Sequence, residues 1–224
     1  LLDEPLLEEY RKTLKGFYGV LKSADRYLRF AFLTGVTKFA QVSVFSDLNQ
    51  LSDISMAPAY GSICGITKEE LVQTFSHEIE KVGEYNRLTF EQTVEKMTAL
   101  YDGYHFYEYG EGMFNPFSVL NVLTKYRLDN YWCQTGTPTF LVNLLKESDY
   151  DLRTLIDGVE AEQSSFAEYR AETNNPIPLI YQSGYLTIKD YDPRFDMYTL
   201  CFPNEEVKYA FLKFLQPSYS SVPD

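Results

Sequence analysis

Four signals for the start of a helix fall between Thr67 and Pro138, and they constrain the fold more than any other feature of the chain. Thr67-Lys68-Glu69-Glu70 and Thr89-Phe90-Glu91-Gln92 are capping boxes, in which a hydroxyl and an acid or amide three residues on satisfy each other's free backbone N–H. Asn115-Pro116 and Thr137-Pro138 each place a capping side chain before a proline, whose fixed φ and missing N–H suit the first helical turn. Behind the two boxes, Leu71, Phe75 and Ile79, and then Phe90, Val94, Met97 and Tyr101, recur on single helical faces. Asp102-Gly103 ends the second of these helices. The middle of the chain is therefore expected to be helical.

The flanks differ. An opening helix is expected from Asp3 as cap, Pro5 in the first turn, and Leu6, Leu7, Tyr10, Leu14, Phe17, Tyr18 and Leu21 at helical spacing. The apolar run over 28–35 alternates Leu28, Phe30 and Phe32 with Arg29, Ala31 and Leu33 up to Gly35, and predicts a strand buried on both faces. A shorter strand is expected over 50–55. Residues 158–175 are polar and acidic and predict a loop or linker. Beyond them, 181–191 and 196–202 flank a turn containing Asp192-Pro193-Arg194, which predicts a β-hairpin. Asn204 then caps a last helix carrying Val207, Phe211, Phe214 and Leu215. Helices leading into a two-stranded hairpin outline a winged-helix module.

Charge and cysteine narrow the function classes. Thirty-two acids against 20 bases give a net charge of −12 over 224 residues, so a uniform surface would repel nucleic-acid backbones and anionic membranes. Cys64, Cys133 and Cys201 are far apart and odd in number, which points to a reducing compartment, here taken as the cytoplasm. No apolar run approaches the ~18 residues of a membrane span. The start, LLDEPLLEEYRKTLKG, shows neither a signal-peptide pattern nor an initiator Met, and the chain is expected to begin inside a longer protein. Aromatic residues, 16% of the chain, are spread along it and are read as core and surface rings rather than a stacking platform.

Catalytic motifs are missing from the sequence. There is no phosphate-cradling GxxxxGK[ST], no nucleophile elbow, no HExxH and no CxxC. His77 lies among charged helical residues, and His105 in the aromatic stretch YDGYHFYEY, where a structural histidine is expected. Two patterns imitate active sites. Asp3-Glu4 resembles a strand-end acidic pair that holds Mg²⁺, but Pro5 opens a helix directly after it. Glu206-Val207-Lys208, with Asp190, Asp192 and Asp196 upstream, imitates the acidic-x-Lys pattern of metal-dependent nucleases, yet Asn204-Glu205-Glu206 reads as a helix start whose acids complement the dipole. No catalytic residue and no metal ligand is assigned.

An ordered series of strings carries a family resemblance: RFAFLTGVTKFAQVSVFSDLNQLSDIS (29–55), ICGITKEEL (63–71), LYDGYHF (100–106), MFNPFSVLNVL (113–123), YWCQTGTPTFLVNLL (131–145), IYQSGYLTI (180–188) and LCFPNEEVKYAF (200–211). Together they resemble the bacterial AAA-ATPase-like family, whose members often carry a C-terminal PD-(D/E)XK-type nuclease domain. The resemblance implies a mixed, mainly α fold: the C-terminal remnant of a P-loop α/β core over 1–60, a helical lid over 61–150, and a winged-helix-like module with a hairpin over 151–224. It implies a nucleotide-sensing role for Thr34, at the end of the matching core strand, with Lys38 adding positive charge. Neither the phosphate loop nor the acidic strand of the family is found here. The chain is thus expected to be a truncated part, inactive alone and without a cofactor of its own, of a protein that uses ATP and Mg²⁺. Its partners would be the missing phosphate-binding half, a nuclease-type domain and, through the unpaired strand, a second copy. An alternative is a protein- or nucleic-acid-binding module in which nucleotide turnover is incidental. The hairpin turn, with three acids and two bases over 189–196, counts against nucleic acid there.

Overall fold

A computed structural model of the chain describes residues 4–35, 51–132, 145, 150, 151, 153–167 and 175–219. The architecture is mixed and mainly helical, with one small antiparallel sheet among the described residues. It begins with helix α1 (Glu4–Ser23), followed by a 3-10 turn at Asp25–Tyr27. The expected strands over 28–34 and 50–55 do not form: residues 28–35 and 51–54 belong to no ladder among the described residues. Alternation alone was a weak warrant there, because a strand needs a neighbour to satisfy its backbone groups.

The helical unit holds α2 (Lys68–Thr74), α3 (Ser76–Asn86), α4 (Phe90–Tyr101) and α5 (Pro116–Lys125). Both capping boxes are in place, with the Glu70 N–H donating to Thr67 Oγ1 (3.1 Å) and the Gln92 N–H to Thr89 Oγ1 (3.3 Å). Asn115 Oδ1 accepts from the Phe117 N–H at 2.9 Å, so Asn115-Pro116 starts α5 as expected. The stripe of Leu71, Phe75 and Ile79 spans two helices, because the chain breaks at Phe75 between α2 and α3. Leu71, Ile79, Val82, Met97, Tyr101, Phe114, Val119 and Val122 close one core, and each full burial of this kind contributes about 1.5–3 kcal/mol. The expected helix start at Thr137-Pro138 lies outside the described residues.

The sheet unit corrects the expected loop or linker over 158–175. After α6 (Thr154–Asp157), Val159–Glu162 forms strand β1, followed by the short helix α7 (Gln163–Phe166). Ala161 is buried between exposed Glu160 and Glu162, so this segment alternates but is too short and too acidic to announce itself. Helix α8 (Ile177–Gln182) occupies the first part of the expected hairpin. A turn at Gly184, with φ of +80°, then leads into β2 (Thr187–Asp192), which pairs with β3 (Met197–Cys201). The sheet order is β1-β3-β2, all antiparallel. Helix α9 (Glu205–Tyr219) follows, capped by Asn204 Oδ1 accepting from the Val207 N–H at 3.0 Å. Leu155, Phe166, Ile180, Tyr185, Leu186, Ile188, Leu200, Val207 and Phe211 form the second core.

Candidate nucleotide-sensing segment and inter-unit junction

Helix α1 is amphipathic, but its apolar side faces solvent: Leu14 is 46% exposed, Phe17 70% and Val20 58%. The segment after it continues the pattern, with Phe30 at 81% and Phe32 at 49% exposed and their rings stacked 6.5 Å apart. Single exposed apolar residues need no explanation, whereas a run of them over one amphipathic helix and its continuation marks a surface built to be covered. Thr34 stands at the end of this run, exposed. Lys38 lies outside the described residues.

The imitations of active sites dissolve on inspection. Asp3 lies outside the described residues and Glu4 opens α1. Glu206 is on a helix rather than a strand, in the first turn as expected, and it is fully buried. Its Oε1 accepts from the backbone N–H of Tyr131 (2.5 Å) and Trp132 (2.9 Å), and its Oε2 from the Ser118 hydroxyl (2.7 Å). Burial pushes the carboxyl above its ordinary range, while Ser118 and the two amides hold it down. With both oxygens engaged inside the protein, the side chain is a hydrogen-bonding hub and no metal ligand. Among the described residues no group of three or more His, Cys, Asp or Glu is placed to hold a metal.

Around this hub the aromatic stretch after α4 runs along the sheet unit. Asn204 Nδ2 donates to the Asp102 carbonyl (2.9 Å), and the Tyr104 hydroxyl donates to the Gly184 carbonyl (3.1 Å). Thr187, a buried side chain in β2, accepts from the His105 N–H (2.7 Å) and donates back to the His105 carbonyl (3.0 Å). The Tyr198 hydroxyl donates to Glu108 (2.5 Å), and Tyr109 meets Tyr191 edge to face. Gly103 has φ of +99°, and a Cβ there would lie 2.2 Å from the Pro203 carbonyl oxygen, so only glycine lets the strands of chain approach. At His105 burial, then nearby Lys189, depresses the pKa, and Nδ1 is shielded from solvent with no hydrogen-bond partner. His77 is exposed, 3.9 Å from Glu80. Asp102 is pushed up by burial, partly offset by the Gly103 N–H.

Sequence reasoning missed Glu206 as a hub because burial at a helix start depends on which element packs over it. A faint signal was available: Ala210, one turn along on the same face of α9, is small and apolar, and it is buried too. A shallow cavity of 530 Å³ borders β1, lined by Tyr150, Val159, Glu160, Ala161, Ser165, Asn175 and Ile177. No described helix is long and apolar enough to cross a membrane.

Residues 1–45 match the family model of AAA-ATPase-like proteins, described as a predicted AAA-ATPase. Over 235 residues the chain is 34% identical to a protein of Azotobacter chroococcum mcd 1, named the uncharacterized protein in the vnfD 5' region. That alignment takes in 99% of this chain and 42% of the relative, so the chain spans less than half of the relative's length. No solved structure matches the chain. The matched stretch contains the exposed apolar segment that ends at Thr34, and over residues 1–45 the chain is similar to AAA-ATPase-like proteins.

Proposed function

We propose that the chain is the part of an AAA-ATPase-like protein that follows the phosphate-binding core, and that it couples ATP binding or hydrolysis to an effector domain. The observation that carries this reading is the coincidence of the family match over 1–45 with the exposed apolar face of α1 and residues 28–33. An apolar face of that kind is what one layer of an α/β core presents when the sheet that covers it comes from other sequence. In this reading Thr34 is the polar sensor at the end of a core strand, which pairs only when its neighbours are supplied, and Lys38 adds charge beside it. The helical unit is the lid and the sheet unit a winged-helix-like module, leading toward a nuclease-type domain in the parent.

The chemistry expected of the parent is positioning and charge stabilisation at the γ-phosphate, with the loop, its lysine and the metal-holding acids outside this chain. Taken alone, the 224-residue chain should not bind ATP–Mg²⁺ with useful affinity. A single neutral hydrogen bond from Thr34 offers only ~1 kcal/mol net, too little to immobilise a polyanion. Calorimetry with ATP and Mg²⁺ tests this directly. Micromolar binding by the isolated chain that Thr34→Ala abolishes would place the phosphate site here and overturn the reading. In the longer protein the same substitution should lower turnover while leaving ATP affinity within a few-fold.

A further inference from the structure

We propose that the helical unit and the sheet unit form one rigid lever, joined by the 102–109 strap and the Glu206 hub, so that motion driven by nucleotide bends the chain before Met56, which packs on the sheet-unit core, and not between the two units. The proposal deepens the reading above and rests on it for the source of the motion. The rigidity itself stands on the geometry alone.

A hinge between packed units is a place where few contacts must break and a few residues absorb the change. The junction here is the opposite. Residues 102, 103, 104, 105, 108 and 109 each meet the sheet unit, at Asn204, Pro203, Gly184, Thr187, Tyr198 and Tyr191. The strap is itself fixed to the helical unit, because Tyr104 and Met113 exchange backbone hydrogen bonds (3.2 and 2.8 Å). Glu206 adds a second attachment, from α9 to α5 and to the backbone at 131–132. Rotation about the strap would pull Glu206 off its donors, and rotation about Glu206 would strip the strap. Several of these groups are buried, and a buried donor left without a partner is costly, so the attachments fail together or hold together. The N-terminal segment contrasts with this, since Tyr10, Leu14, Phe17 and Phe30 are exposed rather than locked into the junction.

The test uses the full 224-residue chain with Cys64, Cys133 and Cys201 replaced and spin labels at Glu95→Cys in α4 and Glu162→Cys in β1, both exposed positions. Pulsed dipolar spectroscopy should give one narrow distance. Glu206→Ala should broaden it or add a second population, and amide exchange at 103–105 and 131–132 should quicken by about tenfold or more, a factor equivalent to 1.4 kcal/mol. Thr187→Val, which keeps shape and removes only the two bonds to His105, should quicken exchange at 105 without unfolding the chain. A broad distance in the unsubstituted chain would overturn the lever, as would a distance and exchange pattern indifferent to both substitutions. In the longer protein a label at Lys12→Cys on α1 completes the design: switching ATP for ADP should move the 12–95 distance and leave 95–162 fixed. A change in 95–162 overturns the lever. A change in neither supports the lever and overturns nucleotide coupling, so the two failures are distinguishable.

Discussion

Glu206 and Gly103 show how single residues hold the junction. Replacing Glu206 by Ala strands the Ser118 hydroxyl and the N–H groups of Tyr131 and Trp132 in a buried site, at ~1–3 kcal/mol for each group left unpaired. Glu206→Ala is therefore expected to lower unfolding stability by at least ~3 kcal/mol in urea titrations, and Glu206→Gln, which still offers an acceptor, by much less. The pH dependence has a definite sign. Burial, with Asp129 adding a like charge, raises the folded pKa above the ordinary 4.5, against the pull of Ser118 and the amides of Trp132 and Tyr131. The folded state then binds the proton more tightly, so this contribution is present below 4.5 and is lost as pH rises through the folded value. Measured against Glu206→Gln, the unsubstituted chain should lose relative stability as pH rises through that window. Gly103→Ala meets both a positive φ and the Pro203 carbonyl, and is expected to cost ~2 kcal/mol or more in the same titration.

At the scale of elements, helix starts were legible and strand pairing only partly so. Thr67, Thr89, Asn115 and Asn204 cap the helices they were expected to cap, because a cap is settled by a side chain and backbone groups within three residues. Thr67→Ala and Thr89→Ala should each cost ~1 kcal/mol, and the double variant should cost their sum within ~0.5 kcal/mol, since they start different helices. Thermal unfolding by circular dichroism measures all three. The hairpin of β2 and β3 was also legible, because its turn is local; the Asp192 carboxylate grips Arg194 at 2.9 and 2.6 Å across it. Strand β1 was not legible, for its register against β3 is fixed by residues some forty positions away. The expected strand over 28–34 failed for the complementary reason, that a periodic pattern names a willing strand and not its partner.

For the molecule as a whole, the exposed face of α1 and its continuation is the feature with consequences in solution. Leu14, Phe17, Val20, Phe30 and Phe32 together present an apolar surface that water disfavours, at about 25 cal/mol for each Å² that can be covered. The isolated chain is expected to self-associate through this segment. Sedimentation velocity over a hundredfold range of concentration should show the sedimentation coefficient rising with concentration, and the double variant Phe17→Ser, Phe30→Ser should return the chain to a monomer. A strictly monomeric chain throughout would show that the segment is covered from within, and would also weaken the case that it belongs against sequence outside this chain. The acidic balance of the chain does not prevent such contact, because residues 4–35 carry six bases (Arg11, Lys12, Lys15, Lys22, Arg26 and Arg29) against four acids (Glu4, Glu8, Glu9 and Asp25) and are not themselves acidic.

The sequence by itself determined the starts of the capped helices at Lys68, Phe90, Pro116 and Glu205, and the mainly helical class with a C-terminal hairpin. Each of these rests on interactions among neighbours in the chain. It also supplied the motif order that resembles the AAA-ATPase-like family, matched over residues 1–45. Only the tertiary structure decided that Glu206 is buried, that Gly103 admits Pro203, that the YDGYHFYEY stretch is a strap along the sheet unit, and that the apolar side of α1 is left exposed. Those outcomes depend on what packs over a residue from 28 to more than 100 positions away, as Tyr101 on Asp129 and Asn204 on Asp102 illustrate, and desolvation, unlike capping, is not a local property of the chain.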